Sequence, residues 1–296
     1  MLHDTKDIVI SVRDLAVRFD KPGGGAVTVL DGISFDVYRG ETLVIMGGSG
    51  GGKSTLLNAM IGEVQADEGQ ITYHLPEIGR VDFASASDAT RDRVRKRFGI
   101  LFQSGALFSS MTVAQNIALP LTEHSHVDRA IIDIVVAMKL QQVHMLPHRD
   151  KMPSQLSGGQ KKRVGLARAL ALDPTILYYD EPSAGLDPVT STAIDELIMD
   201  LSRKLKVTSV VVTHEMDSAF RVADRMLMLS AGRVLRLGPV VDFERIRRAD
   251  PKWMTSDDDR LLHQFLNGAA TGPLTDAEGT SEYEKVLLES TVRSRG

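Results

Sequence analysis

A glycine-rich run between two apolar segments constrains the fold more strongly than any other feature of the sequence. The run Gly-Gly-Ser-Gly-Gly-Gly-Lys-Ser-Thr at 47–55 follows the continuous apolar segment Thr42–Met46 and precedes apolar residues at helical spacing between Leu56 and Ile61. A strand, a tight loop and a helix in this order form the setting that a phosphate-binding loop requires. Flexible glycine-rich linkers are not normally bracketed in this way, so the sequence predicts a nucleotide-binding loop.

The glycines of this loop allow backbone N–H groups to converge on phosphate oxygens, and the helix N-terminus favours negative charge. We expect Lys53 to reach the β- and γ-phosphates, Ser54 to place its hydroxyl on Mg²⁺, and Thr55 to hold the start of the helix. The predicted ATP-binding residues of the loop are Gly47, Gly48, Ser49, Gly50, Gly51, Gly52, Lys53, Ser54 and Thr55.

Other apolar segments are also continuous, as in strands that are buried on both faces of a parallel sheet. They span Ile176–Tyr179, Ser209–Val212 and Arg225–Leu229, and helical patterns lie between them. This alternation predicts a doubly wound α/β core. Short alternating segments between Ile8 and Val44 predict a small antiparallel sheet, and the helix-like stretch from about 104 to 171 predicts an inserted helical subdomain.

Two adjacent carboxylates, Asp180 and Glu181, end the apolar segment that begins at Ile176. Acids at the end of a strand are usually only solvated, but a nucleotide site needs one group for the metal and another for the attacking water. Asp180 suits Mg²⁺ coordination, directly or through water, and Glu181 suits the role of general base or water-positioning group near the γ-phosphate.

The segment Leu156-Ser-Gly-Gly-Gln160 precedes a helical pattern and resembles the signature motif of ABC ATPases. The Ser157 hydroxyl, the Gly158 and Gly159 amides and a helix N-terminus can form a second anion site. One chain does not need two cradles for one γ-phosphate. In the ABC family two subunits lie head to tail, so the resemblance implies that Ser157, Gly158, Gly159 and Gln160 complete the ATP site of a second copy.

Further matches to the ABC family occur in the expected order between residues 8 and about 235. Gln103 follows Ile100-Leu-Phe, Ser183-Ala-Gly-Leu-Asp187 follows the two carboxylates, and His214 follows Val210-Val-Val-Thr. The resemblance implies that Gln103 contacts Mg²⁺ and the attacking water, that Asp187 couples the two sites across the dimer, and that His214 holds the γ-phosphate.

The complete set of expected chemical roles combines this resemblance with the residue types. The expected catalytic residues are Glu181, His214 and Gln103, and the expected Mg²⁺ ligands are Ser54, Gln103 and Asp180. Phe19, in Val17-Arg-Phe-Asp20, resembles the aromatic residue that stacks on adenine. Pro22 and three glycines lengthen the loop that follows it, and a core strand position is an equal alternative for this side chain.

The resemblance also implies the architecture of the whole chain. The expected fold is an α/β, ABC-type P-loop ATPase core with a RecA-like, mostly parallel sheet, an N-terminal antiparallel β subdomain and the helical insertion. The ATPase domain is expected at 8–240 and a partly helical extension at 241–296. In the extension, Ser256 with Asp259 predicts a capping box, Gly268 a helix end, and Tyr283, Val286 and Leu287 a short apolar face.

Substrate class depends on segments outside the shared motifs. The string Gln103-Ser-Gly-Ala-Leu-Phe108, with Gln264-Phe-Leu-Asn-Gly268 and Gly272-Pro273, is similar to the lipid-transport ATPases associated with Mce proteins. This similarity implies a homodimer that drives an integral-membrane permease for phospholipid, together with a substrate-binding protein of the Mce type. An ATPase of a small-solute importer, such as an amino-acid importer, and a soluble ABC ATPase without a permease remain the alternatives.

Composition excludes several other classes of partner and location. The formal net charge of −4 gives no basis for holding nucleic acid electrostatically, and the absence of cysteine excludes disulfides and thiolate metal sites. The first residues carry Asp4 and Asp7 where a secretory signal needs a basic segment. No run of about 20 apolar residues occurs, so we expect any membrane association to be peripheral. The resemblance to ABC ATPases implies the cytoplasmic face of the inner or plasma membrane.

Overall fold

The computed structural model describes residues 8–21 and 24–269, which divide into two compact units with a boundary between Leu237 and Gly238. The strands are β1 Ile8–Asp20, β2 Ala26–Tyr38, β3 Thr42–Gly47, β4 Glu68–Leu75, β5 Gly79–Asp82, β6 Phe98–Leu101, β7 Ile176–Asp180, β8 Thr208–Val212, β9 Arg225–Ser230 and β10 Arg233–Pro239. The helices are α1 Lys53–Ile61, α2 Asp88–Arg95, α3 Val113–His124, α4 Arg129–Gln142, α5 Gly158–Ala169, α6 Pro188–Leu205, α7 Met216–Val222, α8 Val240–Arg248 and α9 Asp257–Asn267.

A six-stranded sheet in the order β10-β9-β3-β8-β7-β6 forms the centre of the first unit. The pairs from β9 through to β6 are parallel, and every residue of β3 and β8 is buried. Strands covered on both faces need apolar side chains at every position, which is why these segments are continuously apolar. The four strands predicted from the sequence are confirmed to within one residue at each end.

A second, antiparallel sheet in the order β2-β1-β4-β5 packs on the same hydrophobic core. The antiparallel sheet is confirmed, but the expectation of short strands was wrong because β1 and β2 each contain 13 residues. Register shifts interrupt the β1–β2 ladder at several places, including between Val12 and Leu15. Such irregularities increase the local twist of a long strand pair, and they break the simple alternation that the sequence would otherwise show.

The chain between β6 and β7 is helical wherever it is regular. It contains α3, α4 and α5, with single 3₁₀ turns at Leu146–His148 and Pro153–Gln155, and the three helices pack against one another. A capping box between Thr112 and Gln115 starts α3. The buried Asn116 side chain then donates to the carbonyls of Phe108, Met111 and Thr112, which fixes the loop that leads into this helix.

Residues 75–89 run from the end of β4 through β5 into the first turn of α2. A tight turn joins β4 to β5, and Phe83 then enters an aromatic cluster with Tyr73 and Phe98 at centroid distances of 5.3 and 6.2 Å. Ser87 caps α2 by accepting from the Thr90 N–H. The segment is therefore anchored in the core through Leu75, Val81 and Phe83.

The second unit contains α8 and α9, which pack against each other. Helix α9 begins after Ser256 as expected, but the predicted capping box was wrong because the Ser256 side chain makes no capping hydrogen bond. Gly268, at φ 60°, ends the helix as predicted, and the expected apolar face from Tyr283 to Leu287 lies outside the described residues.

Candidate nucleotide site

The predicted phosphate loop connects the C-terminal end of β3 to the N-terminus of α1. Gly47 and Gly52 have φ values of 154° and 95°. A Cβ atom on Gly47 would lie 2.4 Å from the Leu229 carbonyl oxygen, and one on Gly52 would lie 2.7 Å from the Leu30 side chain. Both backbone conformation and space therefore require glycine at the two ends of the loop.

The Lys53 side chain folds across its own loop. Its Nζ donates to the carbonyls of Gly47 and Gly48 at 2.8 and 2.9 Å. Burial lowers the pKa of Lys53, and the nearby carboxylates of Glu181 and Asp180 oppose this effect. The ammonium group is thus held at the mouth of the loop, with Ser54 exposed beside it on the first turn of α1.

Asp180 lies at the C-terminal end of β7, next to the loop. Burial raises the pKa of the Asp180 carboxyl, the neighbouring Glu181 charge raises it further, and Lys162 and Lys53 lower it. Gln103 follows β6, the neighbour of β7, and it lines one surface depression together with Asp180, Ala184 and Gly185. Adjacent parallel strands end at the same edge of the sheet, which brings these two distant residues together.

Glu181 is oriented by the end of the next strand, β8. Its carboxylate accepts from the Thr213 hydroxyl at 3.1 Å and lies 2.7 Å from Nδ1 of His214. The backbone N–H of Glu181 donates to the Val212 carbonyl at 2.9 Å. The Glu181 side chain is 12% exposed and that of His214 is 60% exposed, so the imidazole covers the carboxylate on its solvent side.

Two residues that orient Glu181 were missed by the sequence analysis. Thr213 is fully buried and contacts the Glu181 carboxylate, and Lys162 on α5 donates from Nζ to the Glu181 carbonyl at 2.8 Å. Burial lowers the pKa of Lys162, although Asp180 and Glu181 counteract this. The available signal was a lysine on the otherwise apolar face of α5, close to Val164 and Leu166.

The second predicted anion site lies at the start of α5. Ser157 caps this helix, accepting from the Gln160 N–H while the Gln160 side chain accepts from the Ser157 N–H at 3.0 Å. A Cβ atom on Gly159 would lie 2.4 Å from Cγ2 of Thr190, and one on Gly158 would lie 3.2 Å from the Leu186 side chain. These contacts place the four predicted residues against the start of α6, with Ser157 and Gly158 exposed.

Asp187 caps helix α6. Its carboxylate accepts from the backbone N–H groups of Val189 and Thr190 and from the Thr190 hydroxyl at 2.5 Å. The Thr190 hydrogen bonds hold the pKa of Asp187 below its usual value. The residue is exposed, and it fixes the same threonine against which Gly159 packs.

Phe19 lies near the end of β1, opposite Val27 of β2, and is 43% exposed. The alternative interpretation, that Phe19 occupies a buried core position, is therefore wrong. The ring is available at the surface, next to the turn that leads into β2.

The grouping of Ser54, Gln103 and Asp180 fits Mg²⁺ by its chemistry. All three offer oxygen atoms, Asp180 supplies a carboxylate, and the remaining Mg²⁺ ligands in such sites come from water and substrate phosphates. No cluster of three or more His, Cys, Asp or Glu residues suited to a metal occurs within 8–21 and 24–269.

Together these residues combine a phosphate cradle with groups suited to hydrolysis. Lys53 supplies positive charge at the loop, and a bound Mg²⁺ would add a second cation there. The Glu181 carboxylate is of a type that can accept a proton from water, and the His214 imidazole is of a type that can donate a hydrogen bond to a phosphate oxygen. Such positioning and charge stabilisation account for most of the rate enhancement in phosphoryl transfer.

Comparison with protein families decides which class of phosphate-binding protein this is. Residues 30–184, from β2 through the two carboxylates, match the family model described as ABC transporter. The chain belongs to the ABC transporter family. It is an ATP-hydrolysing subunit of that family, and it uses ATP and Mg²⁺.

Several relatives align along most of the chain. The intermembrane phospholipid transport system ATP-binding protein MlaF of Haemophilus influenzae is 36% identical over 90% of this chain and 94% of its own. MlaF of Escherichia coli K12 is 36% identical over 88% and 91%. A probable ribonucleotide transport ATP-binding protein, mkl of Mycobacterium leprae, is 36% identical over 96% of this chain and 77% of its own.

Solved structures of ABC cassettes share the fold. A cassette described as a dimer in a post-hydrolysis state with ADP and Pi is 28% identical and matches with a TM-score of 0.69, over 78% of this chain and 98% of its own. The cbiO1 subunit from Clostridium perfringens, part of the complex cbiONQ, matches with a TM-score of 0.70 over 83% and 97%. The expected ABC-type α/β fold is confirmed.

A search of the described helices for a membrane span found none that combines sufficient length with sufficient apolar character.

Proposed function

We propose that two copies of this chain close head to tail around two MgATP and drive a membrane permease that transports phospholipid. In this proposal residues 8–240 form the ATPase domain and 241–296 an extension, and the protein acts at the cytoplasmic face of the membrane. Glu181 activates the attacking water, His214 and Lys53 stabilise charge on the phosphoryl group, and Asp180, Gln103 and Ser54 hold Mg²⁺. Phe19 provides an exposed ring for adenine.

The observation that carries the dimer is the presence, on one chain, of two helix N-termini that are suited to binding phosphate. One is the start of α1, beside Asp180 and Glu181, and the other is the capped start of α5, which packs against α6 and exposes Ser157. A ligand shifts a conformational equilibrium only through differential affinity for the closed state. ATP held between the Lys53 loop of one copy and the Ser157 motif of the other supplies that difference, and a solved ABC neighbour is a dimer.

A groove beside Gln103 supports a permease contact. Its volume is about 630 Å³, and its lining includes Phe102, Pro120, His124, Arg168 and Lys96. Phe102 is 40% exposed and directly precedes Gln103. A membrane partner seated there would contact the residue next to the proposed Mg²⁺ ligand, so movement at the nucleotide would reach the partner through one peptide unit.

The choice of phospholipid rests on the MlaF relatives, whose alignments cover 94% and 91% of the relative's own length, against 77% for mkl. The name of mkl specifies ribonucleotide transport, which corresponds to the small-solute alternative. We include a substrate-binding partner of the Mce type in the proposal, on the strength of the segments at 103–108 and 264–268.

Trapping the closed dimer tests the first part of the proposal. Glu181→Gln should bind ATP without turning it over, so light scattering of the purified variant should show a monomer without nucleotide and a dimer with MgATP. Adding Ser157→Arg should abolish that dimer, because its side chain would occupy the phosphate position of the other copy. A monomer in both states of Glu181→Gln would refute the head-to-tail arrangement.

Purification from native membranes tests the second part. Glu181→Gln, isolated with ATP present, should retain an integral permease, Mce-type components and phospholipid detectable by mass spectrometry. A different permease with a small solute would establish the importer alternative, and the absence of any integral-membrane partner would favour a soluble ABC ATPase. A charge reversal at the groove, Lys96→Glu, should weaken permease recovery, whereas Lys206→Glu, exposed elsewhere, should not.

A further inference from the structure

Two buried tyrosines link helix α1, which begins with Lys53, to strand β7, which ends with Asp180. Tyr73 of β4 and Tyr178 of β7 are both fully buried, and their hydroxyl oxygens lie 2.9 Å apart. The Tyr73 hydroxyl also donates to the carbonyl of Met60, near the end of α1. Since a tyrosine has a single hydroxyl proton, Tyr178 must donate to Tyr73. The result is a directed chain of hydrogen bonds from Tyr178 through Tyr73 to Met60.

Both ends of this chain belong to elements that carry site residues. Met60 is in α1, a nine-residue helix about 14 Å long that begins with Lys53. Tyr178 is two residues before Asp180 on β7. Because protein interiors are closely packed, a buried helix or strand transmits a displacement nearly rigidly. The separation of Met60 and Tyr178 therefore affects the separation of Lys53 and Asp180.

The Met60 carbonyl has no hydrogen-bond donor within its own helix. The last four carbonyls of a helix have no intrahelical N–H. Those of Asn58 and Ala59 accept from the N–H groups of Glu63 and Gly62, while that of Met60 accepts from Tyr73. The end of α1 is therefore fixed to β4 and, through Tyr178, to the parallel sheet.

Aromatic packing holds the two tyrosines in this geometry. The ring of Phe98 lies 5.0 Å from that of Tyr73 and 5.3 Å from that of Tyr178, measured between centroids. Phe83, from the segment that follows β5, packs against Tyr73 at 5.3 Å. Edge-on contacts at these distances are favourable, and they leave the hydroxyl groups little freedom to find other partners.

We propose that Tyr73 and Tyr178 are positioning residues for ATP hydrolysis, because their hydrogen-bonded pair fixes the end of α1 against β7 and so sets the distance between Lys53 and Asp180. The pair touches neither nucleotide nor metal. The pair acts through the distance between the phosphate loop and the proposed Mg²⁺ ligand. The proposal concerns the ATPase reaction, so it does not depend on the identity of the permease or its substrate.

The test uses the full chain with Tyr178→Phe, which removes one hydroxyl and leaves the Tyr73–Met60 bond in place. Small displacements of catalytic groups can reduce rates by up to about 100-fold, so we expect a fall in kcat of roughly 10-fold and a several-fold rise in the Mg²⁺ concentration for half-maximal activity. ATP affinity measured without Mg²⁺ should change by less than about twofold, because the loop binds phosphate through its own backbone.

Tyr179→Phe is the matched control. Tyr179 is equally buried and one residue closer to Asp180, but it lies on the opposite face of β7, where its hydroxyl faces Ser202 and Ser209. It should alter the melting temperature without changing the Mg²⁺ dependence. Tyr73→Phe and the double variant should resemble Tyr178→Phe in kcat, since residues that act as one unit are not additive.

Three results would overturn the proposal. The first is that Tyr178→Phe changes only the melting temperature, as Tyr179→Phe does. The second is that the Mg²⁺ dependence shifts equally in Tyr178→Phe and in Tyr179→Phe. The third is that the kcat losses of Tyr73→Phe and Tyr178→Phe multiply in the double variant. If Tyr73→Phe fails to fold, the comparison of Tyr178→Phe with Tyr179→Phe decides alone.

Discussion

Gly159→Ala should destabilise the protein through one steric clash. The new Cβ atom would lie 2.4 Å from Cγ2 of Thr190, whereas ordinary contacts begin at 3.4 Å. One of the two groups must therefore move by about 1 Å. Thr190 cannot rotate freely, because its hydroxyl is bound to Asp187 at 2.5 Å and its backbone N–H is bound to the same carboxylate.

The expected magnitude follows from two opposing terms. Overpacking of this kind costs about 1–3 kcal/mol, and replacing glycine by alanine in a helix returns up to about 1 kcal/mol. The net loss in the free energy of unfolding should be about 1–2 kcal/mol, which corresponds to a fall in Tm of about 2–8 °C for a domain of this size. Gly158→Ala should cost less, since its nearest neighbour is a flexible leucine tip at 3.2 Å.

Thermal and urea denaturation of Gly159→Ala, Thr190→Ser and the double variant measure this effect. Thr190→Ser removes Cγ2 and keeps the hydroxyl that binds Asp187, so the double variant should recover most of the stability that Gly159→Ala loses. The coupling energy between the two sites should then exceed about 0.5 kcal/mol. Additive effects, or a Gly159→Ala protein as stable as the parent, would refute the packing of the Ser157 motif against α6.

Three further predictions concern the site itself. Glu181→Gln should retain ATP binding and lose turnover by about two to four orders of magnitude, as for a removed general base, and near-normal turnover in a phosphate-release assay would exclude that role. Lys53→Ala should weaken ATP binding in calorimetry, because a charge-assisted contact to phosphate is lost. Burial raises the pKa of Asp180, so ionisation of this carboxyl destabilises the folded protein. The destabilisation is absent below the pKa of the unfolded state and complete above the pKa of the folded state. Asp180→Asn should therefore raise the free energy of unfolding at pH 7.5, by on the order of 1 kcal/mol or less at this half-exposed position. The gain, followed by urea denaturation, should shrink as the pH falls towards 4, and no gain at pH 7.5 would contradict this reasoning.

The parallel core could be predicted because its strands are short, continuously apolar and bounded by turn residues. Thr42–Met46 and Ile176–Tyr179 differ from the observed β3 and β7 by one residue each. The phosphate loop was equally predictable, since glycine at Gly47 and Gly52 is required by both torsion and space. In these places local sequence and tertiary structure impose the same requirement.

Prediction failed where a residue's role depends on partners distant in sequence. Phe83 gave no signal because its neighbours Tyr73 and Phe98 come from other elements. Lys162 was missed for the same reason, as its partner is a backbone carbonyl 19 residues away. The sequence pattern at Ser256 also did not reveal that its side chain makes no capping hydrogen bond.

Glu181 has a left-handed backbone conformation, with φ 48°. The residue types that favour this conformation differ from the residue type that the proposed chemistry requires. In an extended strand, consecutive side chains point to opposite faces, yet the charges of Asp180 and Glu181 both act on Lys53. The change of backbone conformation at the second residue permits this. Glycine and asparagine adopt such torsions most readily, so in a saturation library selected for folded protein they should be enriched at 181. Selection for transport in the same library should discard both, and position 181 should show one of the widest gaps between the two selections.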